Sequence, residues 1–252
     1  MGKVHYSGIK PKLTAPKAGV ALSEIAVGST VFLNINGTPT EFLVVNQGSP
    51  DDSLYVNTDG TWLLMKDIYE TGRTAYNNYS YYNTSPVHSY LNGEFLALFD
   101  TDVQSAIKQV KIPYVNTYDG TNNITAQYGE NGISAKIFLL AAREVNGIQT
   151  TAGSAHDLSY AAQKEGAALD YFSGTGNTNA QRIAYYNGVA TEWFLRSTFI
   201  TWGAGNFFTV TTAGQTYPYN GSYTKTFGIR PALVLPSTAY FDEETLLFKG
   251  VA

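Results

Sequence analysis

Apolar residues along this chain come in short runs separated by Gly, Asn, Thr and Pro, a pattern of strands and tight turns rather than of long helices. In STVFLNINGTPTEFLVVNQG two apolar runs flank Asn36-Gly37, and Asn-Gly tolerates the positive φ of a type I′ turn, so a hairpin is expected. A further strand follows at Thr61-Trp62-Leu63-Leu64-Met65. The stretch YETGRTAYNNYSYYNTS, between Ile68 and Pro86, is polar, tyrosine-rich and aperiodic, and reads as a long surface loop. Ser85-Pro86 has the form of an N-cap followed by proline in the first helical turn and opens a helix over VHSYLNGEFLALF. Asp100 is placed to cap a second short helix, TDVQSAIKQV, before Pro113. KIFLLAAREV fits a buried strand or a helix, and LSYAAQKEGAALDYF a helix broken near Gly166. From Gln181 the pattern is β again: RIAYY, a turn at Asn187-Gly188, then EWFLRS, FFTVTT and GIRPALVLP. Within FFTVTT, Phe208 and Val210 share one face and Thr209 and Thr211 the other, predicting one packed and one open face. Residues 1–20, with Lys3, Lys10, Lys12, Lys17, Pro11 and Pro16, form an arm or linker, and residues 21–252 the folded domain.

Composition narrows the functions open to such a chain. A length of 252 residues is enough to bury a sizeable core. The net charge of −4 leaves no electrostatic footprint for nucleic acid, and no run approaches the ~20 apolar residues of a membrane span, so neither nucleic-acid binding nor membrane insertion is expected. The N-terminus lacks an apolar h-region, and synthesis in the cytoplasm without a signal peptide follows. With no cysteine, disulfides, thiolate metal sites and cysteine nucleophiles are excluded together. His5, His88 and His156 have no ligand spacing, and the Asp51-Asp52 and Asp59-Gly60 turns fit no calcium loop, so no metal and no cofactor is expected. Glu70, Glu94, Glu144, Asp170 and Glu192 are scattered without the pairing that glycoside hydrolysis needs, and no nucleophile elbow or phosphate loop occurs. The chain reads as a non-enzyme. Arg196 and Arg230 lie in apolar strand contexts, where an unpaired guanidinium is costly, and are expected to be ion-paired or bonded to backbone carbonyls.

Between Arg196 and Lys225 there is no charged residue, yet the stretch holds Phe199, Trp202, Phe207, Tyr217, Tyr219 and Tyr223 among Gly, Thr and Asn. Taken with AVGSTVFLNINGTPTEFLVVNQG, TWLLMKDIYE, VHSYLNGEFLALFDTDVQSAIKQVKIPY, SAKIFLLAAREV, EWFLRS and GIRPALVLPS, this stretch resembles a family of proteins common in gut Firmicutes and their prophages. That family is similar to the C-type lectin-like variable proteins of diversity-generating retroelements, whose C-terminal segment is rewritten at adenine-containing codons. The resemblance runs from about Leu22 to Phe241 and implies an α+β, C-type lectin-like fold, mostly antiparallel β with two or three short helices and long loops. It also implies a hypervariable region at about 193–230, framed by Trp193, Leu195 and Arg196 on the leading strand and by Gly228, Ile229 and Arg230 on the closing strand. Adenine randomisation in AAC or AAT codons yields Asn, Tyr, Thr, Ser, Phe, Ile and small residues but no Lys, Glu, Gln, Met or Trp. Trp202, Gln215 and Lys225 depart from that set. The calcium tripeptides of sugar-binding lectins and the copper-holding cysteines of formylglycine-generating enzymes are both missing.

Tyr and Trp with Ser, Gly and Asn are also the chemistry of a paratope, offering rigid amphipathic area with adaptable hydrogen bonding. The expected ligand-binding surface comprises Phe199, Thr201, Trp202, Asn206, Phe207, Thr209, Thr211, Tyr217, Tyr219, Asn220 and Tyr223. By the same resemblance the partner is a protein or glycan on a bacterial cell surface. The chain would be carried on the virion as a tail-associated receptor binder of a phage or prophage, its arm joined to other tail proteins. The alternatives are a tail or decoration protein with no specific ligand and, third, a glycan-acting enzyme.

Overall fold

The strand signals that depend only on neighbouring residues reappear as hairpins. In the computed structural model, which describes residues 19–77, 81–118, 124–147, 165–173, 179–198, 207–219 and 224–252, Asn36 and Gly37 take φ of 52° and 70° and join Thr30–Ile35 to Thr38–Gln47. Asn187 and Gly188 do the same between Tyr185–Tyr186 and Val189–Ala190, with φ of 51° and 77°. Both turns need positive φ at two successive positions, which Asn followed by Gly supplies with little strain.

Five antiparallel strands form the largest sheet, in the order Thr30–Ile35, Thr38–Gln47, Gly60–Met65, Ala232–Pro236, Ile137–Phe138. Gly60–Met65 is buried on both faces, which is why its sequence is apolar without a break from Trp62 to Met65. Trp62 meets Tyr55 and Phe138 edge to face, at 5.3 and 5.4 Å between centroids. Trp193–Thr198, Phe207–Val210 and Thr216–Tyr219 make a separate three-stranded sheet. A third sheet pairs Gly19–Ala21 and Phe248–Val251 with Ala239–Asp242 between them. The folded part therefore reaches back to Gly19, two residues into the expected arm, and the arm's first 18 residues lie outside the described residues.

The expected α+β, C-type lectin-like architecture is corrected by this arrangement. Strands in several small antiparallel sheets dominate, no barrel closes among the described residues, and the chain is closer to all-β. The helices are too short to form a layer. Ser85 Oγ does accept from the His88 amide at 3.2 Å and Pro86 starts the helix, but Pro86–Tyr90 passes into a wide turn at Leu91–Phe95 and a tight one at Leu96–Leu98. The change comes at Asn92-Gly93, poor helix formers. Asp100 does not cap Thr101–Ala106 with its side chain; its Oδ2 accepts instead from Asn34 Nδ2 at 2.8 Å. Of the segment expected to be helical around Gly166, residues 158–164 lie outside the described residues, and Asp170–Ser173 is a single turn. KIFLLAAREV contributes only Ile137–Phe138 as strand, then turns. Among the described residues no helix is long and apolar enough to cross a membrane.

The tyrosine-rich segment is not a surface loop where it is described. Ala75, Tyr76 and Tyr82 are fully buried. Each phenol has a backbone partner: Tyr76 OH donates to Leu195 O at 2.9 Å, and Tyr82 OH accepts from the Leu139 amide at 3.0 Å. A covering segment that inserts aromatic rings one at a time has no period to read.

The five-stranded sheet and the Trp193–Tyr219 sheet are joined by residues 228–231. Gly228 bridges to the Trp193 strand, its amide donating to Glu192 O at 2.8 Å and its carbonyl accepting from Phe194 at 3.0 Å. Ile229 then exchanges hydrogen bonds with Tyr69 and Glu70 at 2.9 Å, and Pro231 O accepts from Met65 at 2.8 Å. A Cβ on Gly228 would lie 2.7 Å from two carbons of Ile68. Gly228→Ala should therefore cost about 1–3 kcal/mol through overpacking, and Ile68→Ala should recover part of that loss when combined with it. Urea unfolding of the three variants decides the point: a neutral Gly228→Ala would mean that the crossing is not wedged.

Candidate functional site

Trp193–Thr198 is buried along its whole length, including the charged Arg196. A guanidinium there must satisfy five N–H donors without water, and it does. Nε donates to Pro113 O at 2.9 Å, Nη1 to Leu139 O at 2.8 Å and Glu144 Oε2 at 2.7 Å, and Nη2 to Glu144 Oε1 at 2.6 Å and Glu165 O at 3.2 Å. Glu144 is equally enclosed: Oε1 also accepts from Tyr55 OH at 2.7 Å and Oε2 from the Ala141 amide at 2.8 Å. Burial works against the Arg196 charge, but the forked Glu144 carboxylate outweighs it and raises the guanidinium above its ordinary range. Burial and the Glu144 charge likewise push the Tyr55 phenol well up, so it stays a neutral donor.

Two further arginines hold the surroundings. Arg230 Nε and Nη2 donate to Met65 O and Lys66 O at 2.9 and 2.8 Å, and its Cζ lies 4.9 Å from the centre of the Trp193 ring. Burial lowers it to about 10, which leaves it protonated at neutral pH. Arg182 reaches Gly214 O at 2.7 Å and Asn179 Oδ1 at 2.6 Å, while its own carbonyl accepts from Trp193 Nε1 at 3.0 Å. Leu195, Gly228 and Ile229 are buried with them. The six framing residues thus form a supporting floor, not a surface.

Trp193 pairs with Val210 and Val210 with Thr216, so Trp193, Gly228 and Arg230 brace one end of the small sheet, and the strand ends gather at the other. Thr198 pairs with Phe207, and Phe207 with Tyr219, so all three strands of the small sheet end side by side. The chain segments carrying Phe199, Thr201, Trp202 and Asn206, and Asn220 and Tyr223, begin or finish at that one end; those six residues lie outside the described residues. Of the remaining expected contacts, two are corrected. Phe207 and Thr209 are fully buried. Phe207 stacks on Tyr76 at 3.3 Å between centroids and Thr209 Oγ1 donates to Glu192 Oε1 at 2.6 Å, so both faces of this strand are covered. Thr211 is half-buried, its hydroxyl accepting from the Gln215 amide at 3.2 Å within the turn.

Tyr217 is 54 % exposed and Tyr219 half-buried on the edge strand. They form the outer part of an aromatic ladder: Tyr217 to Tyr219 at 6.2 Å, Tyr219 to Phe227 at 5.1 Å, Phe227 to the buried Phe194 at 5.2 Å. Lys225 Nζ lies 5.5 Å from the Tyr219 ring centre. Thr211 donates to Gln215 O, which makes Thr209–Tyr217 and Phe207–Tyr219 the hydrogen-bonded pairs and turns the nitrogen of Pro218 toward the open edge. With no N–H there, the edge is blunted against another strand. Among the described residues no group of His, Asp and Glu could hold a metal ion.

What these observations define is a β-rich domain in which buried arginines hold a three-stranded sheet whose edge strand carries a short aromatic edge. The chain belongs to the family described as a domain of unknown function, DUF6273, whose model matches residues 59–237. That span contains Arg196, Glu144 and the whole three-stranded sheet, and leaves out the Thr30–Gln47 hairpin and the sheet of the two chain ends. No curated protein and no solved structure matches the chain.

Residue reading from sequence missed Tyr55 and Glu165 and gave Glu144 no role. A usable signal was present: Glu144 is the one acid in KIFLLAAREV and follows the apolar stretch 137–142, and Arg196 in an apolar strand required an acid. Glu144→Ala, which leaves a buried guanidinium uncompensated, should destabilise by about 3–5 kcal/mol. The double variant Glu144→Leu/Arg196→Met should lose much less than the sum of its two single changes. Chemical denaturation of all four proteins measures the coupling, and additive losses would show that the pair does not act as a unit.

Proposed function

We propose that this chain is a non-enzymatic ligand-binding protein that presents the aromatic edge of the three-stranded sheet to a partner. The observation that carries the reading is the aromatic edge: Tyr217 stands more than half exposed, yet it is tied through Tyr219 and Phe227 to the core residue Phe194. An aromatic side chain held in water on a rigid support is what an interface anchor requires, because little entropy is lost when a partner covers it. The blunted edge directs recognition to side chains rather than to strand addition. The charge-free stretch to either side is the composition of an adaptable binding surface.

The partner class that suits this chemistry is a protein or glycan on a bacterial cell surface. In this reading the chain is a tail-associated receptor binder of a phage or prophage, with its lysine- and proline-bearing arm as the attachment to other tail proteins. Its variable segment is diversified by a retroelement. A reverse-transcriptase gene beside the coding sequence, with a template repeat nearly identical to codons 193–230, supports the retroelement; a neighbourhood without either removes it.

Tyr217→Ala and Tyr219→Ala should each weaken adsorption to candidate host cells by ~2 kcal/mol or more, about 30-fold. Tyr217→Ala should leave the melting temperature within about a degree or two, as an exposed position does. Adsorption that survives both substitutions would sink the receptor-binding reading and favour a decoration protein without a specific ligand.

A further inference from the structure

Residues 165–173 cross the core as a strap held by polar contacts. Gly166, at φ +142°, starts it. The Ala167 amide donates to Tyr55 OH, the Leu169 amide to Glu144 O and the Asp170 amide to Asn46 Oδ1, each at 3.0 Å. Its own Leu169 and Phe172 are buried in the core. At its head the Glu165 carbonyl accepts from Arg196 Nη2. The Glu165 side chain is also fully buried; no hydrogen bond of good geometry reaches its carboxylate, to which the Ser197 hydroxyl and the Val115 amide are neighbouring donors.

The groups that face this carboxyl come from four elements. They are Arg196 and Ser197 from the Trp193–Thr198 strand, Glu144 from the turn after Ile137–Phe138, Tyr76 from the segment before the first helix, and the Val115 amide from the strand Tyr114–Tyr118. Only one of them is a cation, and it is already engaged: both Arg196 Nη atoms are forked onto Glu144. Ser197 Oγ accepts from the Ala142 amide at 2.8 Å. An ionised Glu165 would therefore be the second buried negative charge beside a single positive one. Burial raises its carboxyl to about 7; Arg196, Ser197 and the Val115 amide oppose that rise, and Glu144 adds to it.

We infer that the 165–173 strap is a proton-controlled latch, closed while the Glu165 carboxyl is neutral and loosened when it ionises. The direction follows from which state holds the proton. The closed strap binds a proton more tightly than the open one, whose carboxyl has the ordinary value of 4.5. Closure is strongest below that value and weakens as pH rises to about 7. Because the strap shares Arg196 with the Trp193–Thr198 strand, its release removes one of the five contacts beneath the sheet end.

Amide hydrogen exchange of the full chain tests this. After correction for intrinsic rates, protection at Ala167, Leu169 and Asp170 should fall about tenfold between about pH 6 and pH 8, with the five-stranded sheet unchanged. Glu165→Gln and Glu165→Met should remove that fall. The same pH dependence in either variant, or none in the parent, overturns the latch. If neither variant folds, the carboxyl carbon of Glu165 followed by NMR in the parent decides it. A midpoint near 7 together with the fall in protection upholds the inference, and a midpoint below about 5 ends it.

Discussion

The relative placement of this protein's small sheets depends on one buried charge. Apolar contacts are non-directional, and several short sheets packed into one core can slide against each other at little cost. Arg196 removes that freedom. Its five donors take fixed directions to Pro113, Leu139, Glu144 and Glu165, positions 31 to 83 residues from Arg196 that must all be in place for every donor to be satisfied. Desolvation offsets much of the attraction within such a pair, so its contribution is better understood as specifying an arrangement than as adding stability. The arrangement it specifies is the position of the Trp193–Thr198 strand, and through that strand the position of the aromatic edge.

Arg182 and Arg230 extend the same logic. Sheets of two or three short strands leave many carbonyls at strand ends and turns without a ladder partner, and buried carbonyls need donors. Each arginine supplies them at a strand end or in a turn: Arg230 at Met65 and Lys66, Arg182 at Gly214 and Val145. Trp193 links the two, since its ring lies beneath the Arg230 guanidinium and its indole nitrogen donates to Arg182 O. A chain this rich in turns is held by a few long donors used many times, and lysine, a point charge without the planar fork, could not replace them.

How much of this was legible in the sequence follows from the range of the forces involved. The Asn36-Gly37 and Asn187-Gly188 hairpins, the Ser85-Pro86 helix start and the doubly buried Gly60–Met65 strand are fixed by adjacent residues and were readable. The fold class was misread because helix signals at 86–99 and 158–172 were given the weight of a layer, whereas a glycine at 93 and short lengths reduce the described part to turns. The alternation in Phe207–Val210 was real but misleading. A threonine opposite a phenylalanine marks an open face only if nothing polar covers it, and here Glu192 covers Thr209. Tyr76 lies more than a hundred residues from the Phe207 it stacks on, a contact that no local pattern encodes.

These contacts also divide the charge-free stretch between Arg196 and Lys225 into two parts with different causes. Residues 207–210 lack charge because they are enclosed, and a charge there would be desolvated without a partner. Tyr217 and Tyr219 lie on an edge, where lysine is common and guards against aggregation. On this edge Pro218 already supplies that protection, which leaves the flanking positions free to be aromatic. Tolerance to substitution should then follow the ladder rather than the composition. Tyr219 contacts Phe227 and so carries structural weight, whereas among the described residues the Tyr217 ring packs on Tyr219 alone. If the stretch is rewritten from one copy to another, the freedom belongs outward from Tyr217, and the Phe207–Val210 strand is barred from it by the same packing that makes the edge rigid.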